Sequence, residues 1–169
     1  MHLRLATTEA AAALYTNDDN LLNALIVAAR THAENYTRRA FITQTWIAYL
    51  SSFPKTLRLP YPPFQSVTSL TVEGTAFTDF TESKAGILEP TDTWPILSSS
   101  PGADPIVITF KAGYGDAAAN VPDPIQHAIL LLIGHWYNNR EESVVGVSVA
   151  KLVEAAEALL NPYRWYDLP

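Results

Sequence analysis

The sequence predicts an α+β fold that is mainly α: a helical body of about four helices with a small antiparallel β region inserted in it. Three observations lead there. Apolar residues recur at helical spacing over 18–39, 123–140 and 149–160, and an alanine-rich run over 7–15 adds a fourth helix. Between the first two long segments, from about 41 to 112, the pattern changes to alternation in Val, Ile, Thr, Tyr and Trp, punctuated by Pro and Gly. No repeat is visible and no linker is long enough to divide the chain. Its 169 residues therefore read as one domain, 1–169, large enough to bury a real core.

In chain order, Thr7 or Thr8 caps the short first helix. Asn17, Asp18 and Asp19 start the second. Its stripe is Leu21/Leu22, Leu25/Ile26, Ala29, Ala33 and Tyr36, and Arg38 and Arg39 lie at its end, where cations suit the helix dipole. Strands are predicted over 43–49, 56–59, 67–72, 86–88 and 106–110. Pro54, Pro60, Pro62 and Pro63 shorten the second of these, and Gly74 offers a turn after the third. Residues 92–104 are rich in Pro, Ser and Gly. Gly113 and Gly115 end the last strand.

Asp123 and Pro124 read as the start of the central helix, Asp123 as cap and Pro124 at the first helical position. Its stripe is Ile125, Ile129, Leu132 and Trp136. Leu130, Leu131 and Ile133 fall off that stripe, which marks an element with a second apolar face. Ser148 caps the last helix, 149–160, with Leu152, Val153, Ala156 and Leu159/Leu160 as its core face. Asn161-Pro162 stops it, and the tail holds Tyr163, Trp165, Tyr166 and Leu168.

Composition narrows the function. The chain is 48% hydrophobic and only 17% charged, with eight Tyr and four Trp, a balance that favours contacts with other protein. Eleven Lys and Arg and a net charge of −6 argue against a phosphate-gripping surface. With no cysteine there is no disulfide and no thiolate metal site. The longest apolar run, 128–137, is too short to cross a bilayer, and no signal pattern opens the chain. The expectation is a soluble, non-secreted protein.

The chemistry-bearing residues do not assemble a reaction. His127 and His135 are eight apart, about 12 Å along a helix, too far to share a metal without other ligands. With His32 they read as core-edge or surface histidines. Gly113-Tyr-Gly115-Asp116 follows a strand but lacks the residues of a phosphate loop or a dinucleotide fingerprint. It reads as a turn. Glu141 and Glu142 form a solvated loop or, more sharply, partner a cation on a neighbouring subunit. The aromatic tail folds back on its own domain or docks in a partner's groove.

The order and spacing of several runs carry a resemblance. Ala33-Glu-Asn-Tyr36-Thr-Arg-Arg-Ala40 leads into Thr43-Gln-Thr-Trp46, followed by Leu59-Pro60 and by Pro62-Pro-Phe-Gln-Ser-Val-Thr-Ser-Leu70. Lys111-Ala-Gly-Tyr-Gly-Asp116 precedes Val121-Pro122, then His135-Trp-Tyr-Asn-Asn-Arg-Glu141, and Pro162-Tyr-Arg164 closes the series. Together they resemble the head–tail connector (adaptor) family of long-tailed phages and gene-transfer particles.

That resemblance implies a homo-oligomeric ring, typically of twelve copies, docked under the portal protein in the virion neck after assembly in the host cytoplasm. The ring extends the DNA channel and offers a platform to stopper or tail-terminator proteins. It implies no catalysis, no cofactor, no metal, no membrane and no sequence-specific DNA binding. On this reading Tyr163, Arg164, Trp165, Tyr166 and Leu168 dock on the portal, while Leu130, Leu131, Ile133, Glu141 and Glu142 face the next subunit. Two alternatives stand beside it: a neck or tail-completion ring one layer further down, and a small hydrolase built on the Gly113–Asp116 turn and His127.

Overall fold

The computed structural model describes residues 19–98, 104–138 and 148–166. Among them are three α-helices, α1 (Asp19–Thr37), α2 (Asp123–Asn138) and α3 (Ser148–Leu160). There are also seven strands: β1 (Gln44–Leu50), β2 (Leu57–Arg58), β3 (Phe64–Val72), β4 (Thr75–Ala76), β5 (Phe80–Glu82), β6 (Ile87–Pro90) and β7 (Ile106–Ala112).

This corrects the fold class. The molecule is mixed α and β with two antiparallel sheets, not a mainly helical body of four helices. The predicted helix 7–15 lies outside the described residues. The β content was underestimated because β4 and β5 are two and three residues long, with no room for an alternation signal. Partner strands create them: Phe80, Thr81 and Glu82 pair with Pro90, Glu89 and Leu88. α1 also stops short of Arg39, because Arg38 turns the backbone into the left-handed region at φ 55°.

The chain divides into two compact units, a β unit of Arg39–Asp116 and a helical unit drawn from the segments on either side of it. In the β unit the sheets run β1-β7-β3-β4 and β2-β6-β5. They share one apolar core, to which β7 contributes Ile106, Ile108, Phe110 and Ala112, β3 Leu70 and Val72, β2 Leu57 and β6 Leu88. Trp46, Ala48 and Leu50 of β1 pack against this core. The β3–β4 turn is Glu73-Gly74, φ 51° and 80°, a two-residue hairpin that needs left-handed backbone at both positions.

The two ends of the β unit are stitched together. Thr43 N–H donates to Gly115 O at 3.0 Å, Tyr114 N–H to Phe41 O at 3.0 Å, and Gly113 N–H to Pro63 O at 2.8 Å. A register shift in the β3–β7 ladder between Phe64 and Ser66 leaves Gln65 as the extra residue. Such bulges re-aim a side chain. The Gln65 amide nitrogen donates to Thr43 Oγ1 at 2.9 Å and to Gly113 O at 2.8 Å.

In the helical unit, α1 buries Leu22, Ala29, Ala33 and Thr37, and α2 buries Ile125, Ala128, Ile129, Leu132 and His135. Ala156 and Leu160 of α3 complete that core. Alanines at Ala29 and Ala33, one turn apart, present little side-chain bulk, which permits close helix approach.

Candidate subunit-contact surfaces

The start of α2 sits one residue off its sequence reading. Pro122 O accepts from Ile125 N–H at 3.0 Å and from Gln126 N–H at 3.2 Å. The residue whose carbonyl takes the first helical bond is the cap, so Pro122 holds that place and Asp123 is the first helical residue. The Gln126 side chain donates to Val121 O at 2.8 Å and fixes the turn before the helix. Asp123 keeps the favourable place of a carboxylate in the first turn.

Leu130, Leu131 and Ile133 are all half-buried, in contrast to Ile129 and Leu132 beside them. Leu130 joins Asp123, Pro124, Gln126, His127 and, from the end of α3, Leu159 around an open, mostly apolar groove of about 430 Å³. His127 is exposed, and His32 meets Trp136 edge to face at 6.0 Å. The Gly113–Asp116 turn belongs to the β unit and His127 to α2 of the helical unit. Among the described residues no group of three or more His, Cys, Asp and Glu is placed to hold a metal ion. No helix among them is long and apolar enough to cross a membrane.

The tail is partly folded back. A 3₁₀ turn at Asn161–Tyr163 carries the chain off α3, and Trp165 N–H donates to Thr37 O at 2.8 Å. Tyr36 OH donates to Asn161 Oδ1 at 2.7 Å. The Arg164 guanidinium lies 5.3 Å from the ring centres of both Tyr36 and Tyr166. Tyr163 and Trp165 are half-buried, while Tyr166 is 58% exposed. Leu168, Glu141 and Glu142 lie outside the described residues.

The outer face of β1 is not singled out by the sequence. On β1 the inward row is Gln44, Trp46, Ala48 and Leu50, and the outward row is Thr45, Ile47 and Tyr49. Ile47 is 53% exposed and Tyr49 60%. Both rows carry apolar residues, so alternation alone does not say which is covered. The signal that existed was the size of Trp46, whose ring stacks on Tyr61 at 4.2 Å on the inner side.

Residues 100–164, which run from just before β7 through α2 and α3 into the tail, match the model of phage gp6-like head–tail connector proteins. Over this stretch the chain is similar to the phage gp6-like head–tail connector family. Likeness in fold extends over more of the chain. A chain in the neck of a native gene transfer agent (GTA) particle, computed with C12 symmetry, matches with TM-score 0.72 and 20% identity, over 94% of this chain and 90% of that one. A chain in the neck of an empty GTA particle, computed with C6 symmetry, gives TM-score 0.75 and 20% identity over 98% and 91%. A third, from the virion of the native particle, gives 0.74 and 21% over 99% and 87%. No curated protein sequence matches the chain.

Proposed function

We propose that this chain is a structural head–tail connector: one subunit of a ring in the neck of a phage-like particle, under the portal, that extends the DNA channel and receives the stopper or tail protein. The connector match over residues 100–164, joined to a fold that follows chains of GTA necks along more than nine-tenths of its length, is the observation that carries this reading. Twelve copies are the expected number in the particle, in line with the C12 neck. The subunit works as one connector domain over 1–169, assembles in the host cytoplasm, and makes and breaks no covalent bond.

Ring subunits meet head to tail through two different surfaces. Half-buried Leu130, Leu131 and Ile133, with Glu141 and Glu142, supply one of them. The tail, Tyr163, Arg164, Trp165, Tyr166 and Leu168, docks on the portal, with Tyr166 as its exposed aromatic anchor. A net charge of −6 per copy suits a conduit along which DNA slides, because few cations are present to hold phosphate.

Electron cryomicroscopy of the particle neck tests the reading directly, and density for this chain anywhere but the neck refutes it. Mass measurement with and without isolated portal is the solution counterpart. A neck ring one layer further down is the second reading, because the matched structures are described as neck without naming a layer. It predicts binding to isolated tail and none to isolated portal.

A further inference from the structure

The outer face of the four-stranded sheet carries a row that is unusual for a free subunit. β1 is an edge strand, seven residues long, with no charge and no proline in Gln44–Leu50. Edge strands of stable monomers are normally blunted by Lys, Pro or a bulge. Here Tyr49 and Ile47 project outward with most of their surface exposed, and Val107 sits opposite Tyr49. At the other end of the row Thr45 pairs with exposed Lys111 on the same face. Among the described residues Lys111 has no ion-pair partner.

The groove on α2 has the complementary layout. Leu130 and Leu159 make an apolar end, and Asp123, also without an ion-pair partner among the described residues, makes the anionic end. The spans agree. Tyr49 to Thr45 covers four strand residues, about 13 Å. Leu130 to Asp123 covers seven helical residues, about 10 Å. Each is a short row with grease at one end and a single charge at the other, and the two charges are opposite.

We propose that the outer β1 row of one copy seats on the α2 groove of the next, Tyr49 against Leu130 and Lys111 against Asp123. The occupant is a second copy because both halves are on this chain and differ from one another, which is what a head-to-tail ring contact requires. Tyr is among the residues that most often anchor such contacts. The inference rests on the ring reading above and names its contact.

Because the chain has no cysteine, disulfide trapping gives a clean readout. A mixture of Tyr49→Cys and Leu130→Cys full-length chains forms a cross-linked dimer several-fold above a Tyr49→Cys plus Thr93→Cys control. Lys111→Glu and Asp123→Lys each reduce assembly by mass measurement, and mixing the two restores it, since every contact in an alternating ring then joins opposite charges. Two results overturn the contact while leaving the ring intact: cross-linking at control level although wild type assembles, or a mixture no better than its components. Wild type that stays monomeric both alone and with isolated portal overturns the ring reading and this contact together.

Discussion

Trp165 N–H donates to the carbonyl of Thr37 at 2.8 Å, which ties the segment after the last helix to the end of the first described one. The last carbonyls of a helix have no intrahelical partner, and Trp165 satisfies one of them. Two roles are thereby separated within three aromatic residues. Trp165 holds its own subunit together, and Tyr166 points outward.

That separation predicts different outcomes for two tail variants. Removing residues 162–169 deletes the Trp165 bond and the Arg164–Tyr36 contact, and costs about 1–3 kcal/mol. Melting temperature falls by roughly 2–12 °C in a thermal scan. Tyr166→Ala stays within about 0.5 kcal/mol of wild type, as an exposed substitution should. It still weakens co-sedimentation with portal. Unchanged portal binding by Tyr166→Ala moves the docking role away from this residue.

Gly113 sits where a side chain has no room. Its φ is 140°, and an added Cβ stands 2.6 Å from the carbonyl carbon of Ile42 and the amide nitrogen of Thr43. Both are backbone atoms, and the Thr43 amide itself donates to Gly115 O in the stitch between the two ends of the unit, so neither moves cheaply. Gly113→Ala is expected to cost more than about 3 kcal/mol. Urea unfolding followed by tryptophan fluorescence measures it; a loss under 1 kcal/mol would show that the stitch adapts.

Gln65 makes two hydrogen bonds from one nitrogen and joins three separate stretches of chain. Gln65→Ala leaves Gly113 O and Thr43 Oγ1 without that donor and costs about 1–2 kcal/mol. Gln65 and Gly113 share the same contact, so their losses are less than additive. Independent, fully additive losses in a double-mutant cycle would break the link argued between them.

What the sequence disclosed follows the length of its signals. α1, α2 and α3 each sustain several turns of apolar stripe, and β7 buries Ile106, Ile108, Phe110 and Ala112 in strict alternation, so these elements were legible within a residue or two. β4 and β5 exist because their partners pair with them, a fact no local window contains. The same holds for the candidate surfaces. Leu130 stood out because it left its own stripe, whereas Ile47 and Tyr49 were hidden in a strand apolar on both faces. Tail aromatics were visible as a cluster, but which one faces outward depends on Thr37, more than a hundred residues away.

The stretch that looked least structured, 92–98, is held by specific contacts. Trp94 stacks on Phe53 at 4.4 Å with planes 6° apart and meets Phe77 at 5.9 Å. The Glu73 carboxylate accepts from Ser98 N–H and Ser98 Oγ, both at 2.7 Å. Between these two fastenings Ile96 is 98% exposed. Trp94→Ala removes a half-buried ring and its stacking and is expected to cost about 2–3 kcal/mol. Glu73→Gln weakens charge-assisted bonds and costs about 1–2 kcal/mol. Ile96→Ser, with almost no buried area to lose, leaves stability within about 0.5 kcal/mol. Chemical denaturation of the three variants checks the order. Should Ile96→Ser prove as costly as Trp94→Ala, the loop is packed in solution against something that buries Ile96, and its exposure in the subunit is not its working state.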